Sequence, residues 1–215
     1  YDLTRLLVGS EGTLALITQA TLKLIPAPAQ VASMRVCYTS NADACRAVER
    51  VMRLSDQPYA LEFMDGRAIE AIREYGAADG LPDRTAAVLM VEADGHSDEV
   101  AQRMQRFEQA LAGPGMIEVQ SGFSKDAIVK LWTARKSLSH AVKKIAPLKI
   151  NEDVVVPVSR LAELVEAIDR LATHHDLPIV SFGHAGNGNL HVNLMVHHDD
   201  ADEMARARAC RLQLV

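Results

Sequence analysis

The side chains best suited to chemistry gather in one stretch, Gly183-His184-Ala185-Gly186-Asn187-Gly188-Asn189-Leu190-His191-Val192-Asn193. Three glycines and two asparagines in Gly183–Asn189, set between two apolar runs, make a loop that can take positive φ and approach a ligand closely. His184 ends one run and His191 lies near the start of the next. Pairing of the runs as a hairpin would bring both imidazoles to the same end of a sheet. Two neutral histidines so placed suit a divalent ion such as Zn²⁺ or Mn²⁺, which needs at least one further ligand. Asn193 lies two residues beyond His191 and so on the same face. The competing reading is a glycine-rich hairpin whose histidines bond to backbone groups. A second small-residue turn, Gly9-Ser10-Glu11-Gly12, can offer backbone N–H groups to a polar or anionic ligand, or can be a plain hairpin turn.

The elements that must position these residues follow from apolar periodicity. Leu3 to Val8 and Leu14 to Leu24 predict two strands around the first turn, belonging to a sheet whose other strands are elsewhere. Pro26-Ala27-Pro28-Ala29 predicts a linker between modules. Then come a strand over 32–39, a helix capped at Asn41 or Asp43 and running to about Leu54, and a strand over 59–64. A short helix over 67–75, a strand over 85–92, a helix over 97–111 and a strand over 116–120 complete a first round. With the short helix as an insertion, the order is β-α-β-β-α-β, the split-βαβ or ferredoxin-like order. A long helix over 125–145 leads to a second round: a strand over 149–156, a helix entered at Pro157, strands over 178–182 and 190–196, and a last helix after Asp199 and Asp200. This round lacks a fourth strand, and the chain starts with Tyr1. Truncation at both ends is therefore the expectation. The fold class expected is α+β, a tandem ferredoxin-like domain with an antiparallel sheet.

Composition narrows the function. A formal net charge of −5 with scattered signs argues against a nucleic-acid surface, though not against a small anionic substrate. No apolar run approaches the roughly 20 residues of a membrane helix. Cys37, Cys45 and Cys210 form no Cys-x-x-Cys pair, which suits a reduced, cytoplasmic setting. The neighbouring pairs His174-His175 and His197-His198 are expected to be solvated, and Cys45 to be core.

Four ordered segments carry a resemblance. Gly183–His191 looks like the G-H-x-G-D-G-N-L-H signature of flavin-linked D-2-hydroxy-acid dehydrogenases, which include D-lactate dehydrogenases, the glycolate oxidase flavin subunit and D-2-hydroxyglutarate dehydrogenases. Asp2-Leu3-Thr4-Arg5-Leu6-Leu7-Val8-Gly9-Ser10-Glu11-Gly12-Thr13-Leu14 resembles that family's D-L-T-x-L-x-x-G-S-E-G-T-L-G. Leu131-Trp132-Thr133-Ala134-Arg135 and Glu152-Asp153-Val154-Val155-Val156-Pro157 are similar to two further family motifs.

The resemblance implies FAD as cofactor, with Gly9, Ser10, Gly12, Thr13 and the Ile17 backbone as its contacts. It divides the chain into residues 1–28, the last strands of a flavin-binding domain, and residues 29–215, the substrate (cap) domain. It implies that His184 and His191 are catalytic and metal-binding, the third ligand coming from a downstream G-E-H-G motif that is not in this sequence. It implies Arg135 as the substrate-carboxylate ligand, a role that suits a guanidinium fork. Asn193 is an expected substrate contact, and so is Lys149, although Asn151 fits the register equally well. The implied reaction oxidises a small D-2-hydroxy acid to the 2-oxo acid. Electrons would pass to a quinone, a cytochrome or an electron-transfer flavoprotein, from the cytoplasm or from the periphery of the inner membrane. Homo-oligomer formation stays open. Two departures stand out: Asn187 replaces an aspartate and Ala15 a glycine. The alternatives are a metal-free alcohol or phenol oxidase relative, and a non-catalytic flavoprotein subunit.

Overall fold

In the computed structural model, which describes residues 1–214, strand β1 (Gln30–Tyr38) is flanked by strands on both edges and is buried from Ala32 to Tyr38 because helices cover both of its faces. After the short helix α1 (Leu3–Leu7) and β1, the first round continues with α2 (Asn41–Met52), β2 (Ala60–Met64), α3 (Gly66–Tyr75), β3 (Ala87–Gly95), α4 (Ser97–Leu111) and β4 (Met116–Gly122). Next come α5 (Lys125–Ala141), a 3-10 turn over Val142–Lys144, β5 (Leu148–Val155) and α6 (Leu161–His175). The hairpin β6 (Ile179–Gly183) and β7 (Asn189–Val196) precedes the last helix. Among the described residues the strands form one antiparallel sheet in the order β4-β1-β3-β2-β6-β7-β5. Its first half, 4-1-3-2, is the ferredoxin-like order, and β6-β7-β5 repeats the same arrangement around a second helix. The tandem α+β fold expected from the sequence is present.

Local chemistry explains the elements. Ser40 and Asp65 cap α2 and α3 by accepting N–H bonds from Asp43 and Ala68. Val100, Met104, Phe107 and Leu111 bury one stripe of α4, and full burial of each such side chain is worth about 1.5–3 kcal/mol. One sheet face packs under α2, α4 and α6, and the other under α3 and α5. On β7 the alternation is strict: Leu190, Val192, Leu194 and Val196 enter the first core. His191, Asn193 and Met195 therefore lie on the second face. At the β5 edge, Lys149, Asn151, Asp153 and Val155 are exposed, so this end of the second face stands open.

Four expectations differ from what is found. Ser40, not Asn41 or Asp43, caps α2. Leu3–Leu7 is a short helix capped by Asp2, and 14–24 has no regular structure. Strands need ladder partners, and the described residues supply none there. Leu14, Leu16, Leu22 and Leu24 are consequently exposed. His175 is buried rather than solvated, because it continues the Leu161, Val165, Ile168, Ala172 stripe of α6.

Among the described residues, only Phe63↔Gly183 and Met64↔Phe182 join the two halves in register. Asp65 reinforces that seam. Its N–H donates to the Ser181 carbonyl at 3.0 Å, and its carboxylate accepts from the Ser181 and Ala68 N–H groups. Burial pushes this carboxyl up to about 7, outweighing those two bonds. The folded chain thus keeps a proton that the unfolded chain releases near pH ~4. That stabilisation is full below about pH 4 and is lost as pH rises toward 7. Asp65→Ala is expected to cost about 2–4 kcal/mol, by stripping the acceptor from two buried N–H groups. Asp65→Asn is expected to flatten the fall in urea midpoint between acid and neutral pH; an equal fall in both proteins would assign it to another group.

Candidate functional site

Glu62 lies in the middle of β2, 7% exposed, on the second sheet face. A carboxylate so buried must be paired. Its Oε2 accepts from Arg135 Nε at 3.0 Å and Nη2 at 2.7 Å. Its Oε1 lies 2.5 Å from His184 Nδ1. One buried carboxylate therefore holds a guanidinium from α5 and an imidazole from the end of β6. Phe182 completes the support: Arg135 sits 5.0 Å over its ring centroid, and its edge meets His191 at 5.8 Å.

The loop after β6 brings the histidines together. Its backbone turns through bonds from the Asn187 and Asn189 N–H groups to the His184 carbonyl. Gly188 takes φ +70 there, and a Cβ would stand 1.9 Å from the Val156 carbonyl oxygen. Only glycine fits. The imidazoles of His184 and His191 end up 5.4 Å apart between centroids. His191 Nδ1 lies 2.5 Å from Asp153 Oδ1, across the Asp153↔His191 pair of the β5–β7 ladder. Hydrogen bonding by His191, and then by Asn151, holds the Asp153 carboxyl below the ordinary range. In a neutral ring whose Nδ1 donates to the carboxylate, Nε2 keeps its lone pair. Neither Nε2 has a protein partner among the described residues.

This arrangement suits two ligands of one metal ion, since metal-bound imidazoles commonly lean on carboxylates in this way. The described residues contain no group of three or more His, Cys, Asp or Glu side chains able to hold an ion. The structure thus brings together Arg135, His184 and His191, and puts Asn193 behind them. Asn193 is fully buried, its Nδ2 donating at 3.0 Å to the carbonyls of Val180 and His191. Lys149 and Asn151 are exposed on the same face of β5 as Asp153. Gly9, Ser10, Gly12, Thr13 and Ile17 lie apart from the core, in an arm without a buried residue up to Ala29. Gly9 and Gly12 have φ +83 and +75 with nothing within 4 Å of a Cβ position, an open turn that a cofactor can approach.

Sequence reasoning missed Glu62 and Phe182, and quoted Asp153 without giving it a role. The available signal for Glu62 was a lone carboxylate in the otherwise apolar strand Ala60-Leu61-Glu62-Phe63-Met64. A cavity of about 370 Å³ adjoins the cluster, with Glu62 and His184 in its wall. The larger cavity, about 590 Å³, lies by Arg35 between α5 and the Gly76–Gly80 loop. There the Arg35 guanidinium is occupied with the Gly80 carbonyl, Gln120 and Glu118.

Residues 27–214 match the family described as FAD linked oxidases, C-terminal domain. The glycolate oxidase subunit GlcD of Bacillus subtilis (strain 168) is 37% identical over 206 residues, spanning 96% of this chain and 44% of that protein. A D-lactate dehydrogenase of Anaerostipes hadrus is 33% identical, spanning 89% of this chain and 42% of its own length. The chain thus spans less than half the length of these relatives. In fold it resembles 4-ethylphenol oxidase from Gulosibacter chungangensis, with a TM-score of 0.65 at 14% identity over 90% of this chain and 44% of that one.

The Glu62–Arg135 pair can be tested by itself. Glu62→Gln leaves a largely buried guanidinium without its counter-charge and is expected to lower stability by about 2–4 kcal/mol. Adding Arg135→Met is expected to recover much of that loss. Additive losses in a double-mutant cycle would deny the coupling.

Proposed function

Because this chain belongs to the family of FAD linked oxidases, C-terminal domain, we propose that it is the substrate-side part of a flavoenzyme oxidising a small D-2-hydroxy acid to the 2-oxo acid. The substrates proposed are glycolate, D-lactate or D-2-hydroxyglutarate. The supporting observation is the convergence of Arg135, His184 and His191 on an open sheet face, with Glu62 tying the first two together.

Arg135 keeps both Nη1 protons and one on Nη2 beyond its bonds to Glu62. These donors would take the substrate carboxylate, and Phe182 below the guanidinium limits its tilt. With the carboxylate anchored there, the 2-hydroxyl of a short acid would reach the histidine pair beside it. Glu62 and Asp153 keep the Nδ1 protons in place, so the Nε2 lone pairs face the site whatever occupies it. His184 and His191 would hold a Zn²⁺ or Mn²⁺ ion supplying Lewis-acid activation of the hydroxyl. FAD, when bound, supplies the acceptor for the C2 hydride, and the hydroxyl proton would pass to a base that is not assigned to His184 or His191. Its contacts in this chain would be the turn at Gly9, Ser10, Gly12 and Thr13 with the Ile17 backbone. Residues 1–28 would then belong to the flavin-binding domain and 29–215 to the cap. Lys149 and Asn151 stand where the far end of the substrate would lie, and Asn193 would hold the His191 main chain from behind. A quinone, a cytochrome or an electron-transfer flavoprotein would take the electrons onward. No helix among the described residues is long and apolar enough to cross a membrane.

The test is dye-linked oxidation by the full-length protein offered each D-acid and its L-isomer. Turnover of a D-acid is expected, with loss on chelator treatment. Removing the charge-assisted carboxylate contact by Arg135→Met is expected to lower kcat/KM by about 10²–10³-fold. His191→Ala is expected to abolish the chelator-sensitive turnover. Unchanged turnover in His191→Ala would sink the metal assignment, and a flavin-loaded protein inert to every acid would sink the hydroxy-acid reading.

A further inference from the structure

Six of the seven lysines, Lys125, Lys130, Lys136, Lys143, Lys144 and Lys149, fall between residues 125 and 149. With Arg135 they make seven basic side chains against one acid, Asp126, a local charge of +6. Set against −5 for the whole chain, this leaves −11 on the remaining residues. All six are exposed, and among the described residues the ion pairs are made by arginines and histidines, with no lysine in any. An exposed helix face usually mixes its signs and pairs them. This one does neither.

The lysines are also placed relative to the candidate site. Leu131, Ala134, Leu138 and Ala141 form the buried stripe of α5, and Arg135 flanks it. At about 100° per residue, Lys125 and Lys136 lie within roughly 20° of each other, opposite that stripe and about 80–100° round the helix from Arg135, and Lys143 follows in the 3-10 turn. Burial raises the carboxyl of Glu92, on β3 and on the same sheet face as Glu62, and the charge of Lys136 is among the influences that oppose the rise. Lys149 is exposed on β5, on the face that carries Asp153. Without an ion and with neutral histidines, the cluster's fixed charges are Glu62, Asp153 and Arg135, a net −1, and the divalent ion proposed above would bring it to +1.

We infer that the lysine band along α5 and β5 is an electrostatic approach surface that draws small carboxylate substrates to the Arg135–His184–His191 cluster. This rests on the hydroxy-acid reading above. The band raises the local concentration of the anion beside the cluster, lowering KM without touching the chemical step. Surfaces of one sign raise encounter by about 10–10³-fold at low salt. Over the ~8–10 Å Debye length of ordinary buffers the effect is strongly screened, so salt reports it.

The experiment compares the full-length enzyme with Lys125→Gln/Lys136→Gln/Lys143→Gln, exposed positions outside the contacts proposed for substrate. A matched triple Lys→Arg variant keeps the charge. On the acid that is turned over, kcat/KM is read from low to high ionic strength. The glutamine variant is expected to lose about 5–20-fold in kcat/KM at low salt, within the range given above. Its kcat should stay within about twofold and its salt dependence should flatten, while the arginine variant tracks the parent. Equal kcat/KM and equal salt dependence in all three would overturn the inference and leave the lysines as a solvated face. If the flavin-loaded parent oxidises no acid, the hydroxy-acid reading fails instead. Oxalate affinity by calorimetry then decides the band on the same variants: weaker, salt-insensitive binding in the glutamine variant supports it, and unchanged binding overturns it.

Discussion

A carboxylate held in the middle of a β-sheet is costly unless it is paired and hydrogen-bonded, and Glu62 meets that demand by binding Arg135 twice and His184 once, from different elements. The consequence is geometric. Arg135 must come off α5 at the turn that overlies β2, and His184 must leave β6 with Nδ1 toward the same carboxylate. The depth of Glu62 then becomes a constraint on how α5 sits over the sheet and where β6 ends. Phe182 adds a flat apolar floor beneath the guanidinium. A cluster fixed this way needs no rearrangement to present free guanidinium donors and imidazole lone pairs to a ligand.

The tandem architecture supplies the place for that carboxylate. Glu62 and Arg135 come from or follow the first βαββαβ unit, while His184, His191 and Asp153 belong to the second. The seam between β2 and β6 is short, with two register pairs and the Asp65–Ser181 bonds. Site and seam therefore coincide. Each half covers its own part of the second face differently: α3 and α5 pack over the first, whereas the β5 end of the second is exposed. The open half-face is where a ligand can reach the cluster.

Much of this was legible from residue types alone. The period-two and period-3.6 runs gave the element order, and the glycine and asparagine density around His184 and His191 marked a loop with special backbone geometry. Gly188, with a carbonyl where its side chain would be, shows why that density exists. Pairings across the sheet were not legible, because Glu62 and His184 stand far apart in sequence and register decides their meeting. The exposed arm failed for a related reason. Its alternation predicts strands, but a strand exists only with a partner, and residues 14–24 have none among the described residues. His175 shows the converse, a polar residue buried because the helical stripe of α6 carries it inward.

Under the proposed function, Glu62 would organise the reacting centre without itself meeting the flavin. Anaerobic mixing of the flavin-loaded full-length protein with saturating D-acid, followed at the flavin absorbance, tests it in a single turnover. In Glu62→Gln the flavin content should match the parent. Bleaching at saturation is expected to be slower by at least about tenfold, since misplacing a positioned group by ~1 Å can cost 10²-fold. Bleaching at the parent rate would contradict the account, leaving Glu62 as a packing residue and the convergence of Arg135 and His184 upon it without catalytic meaning.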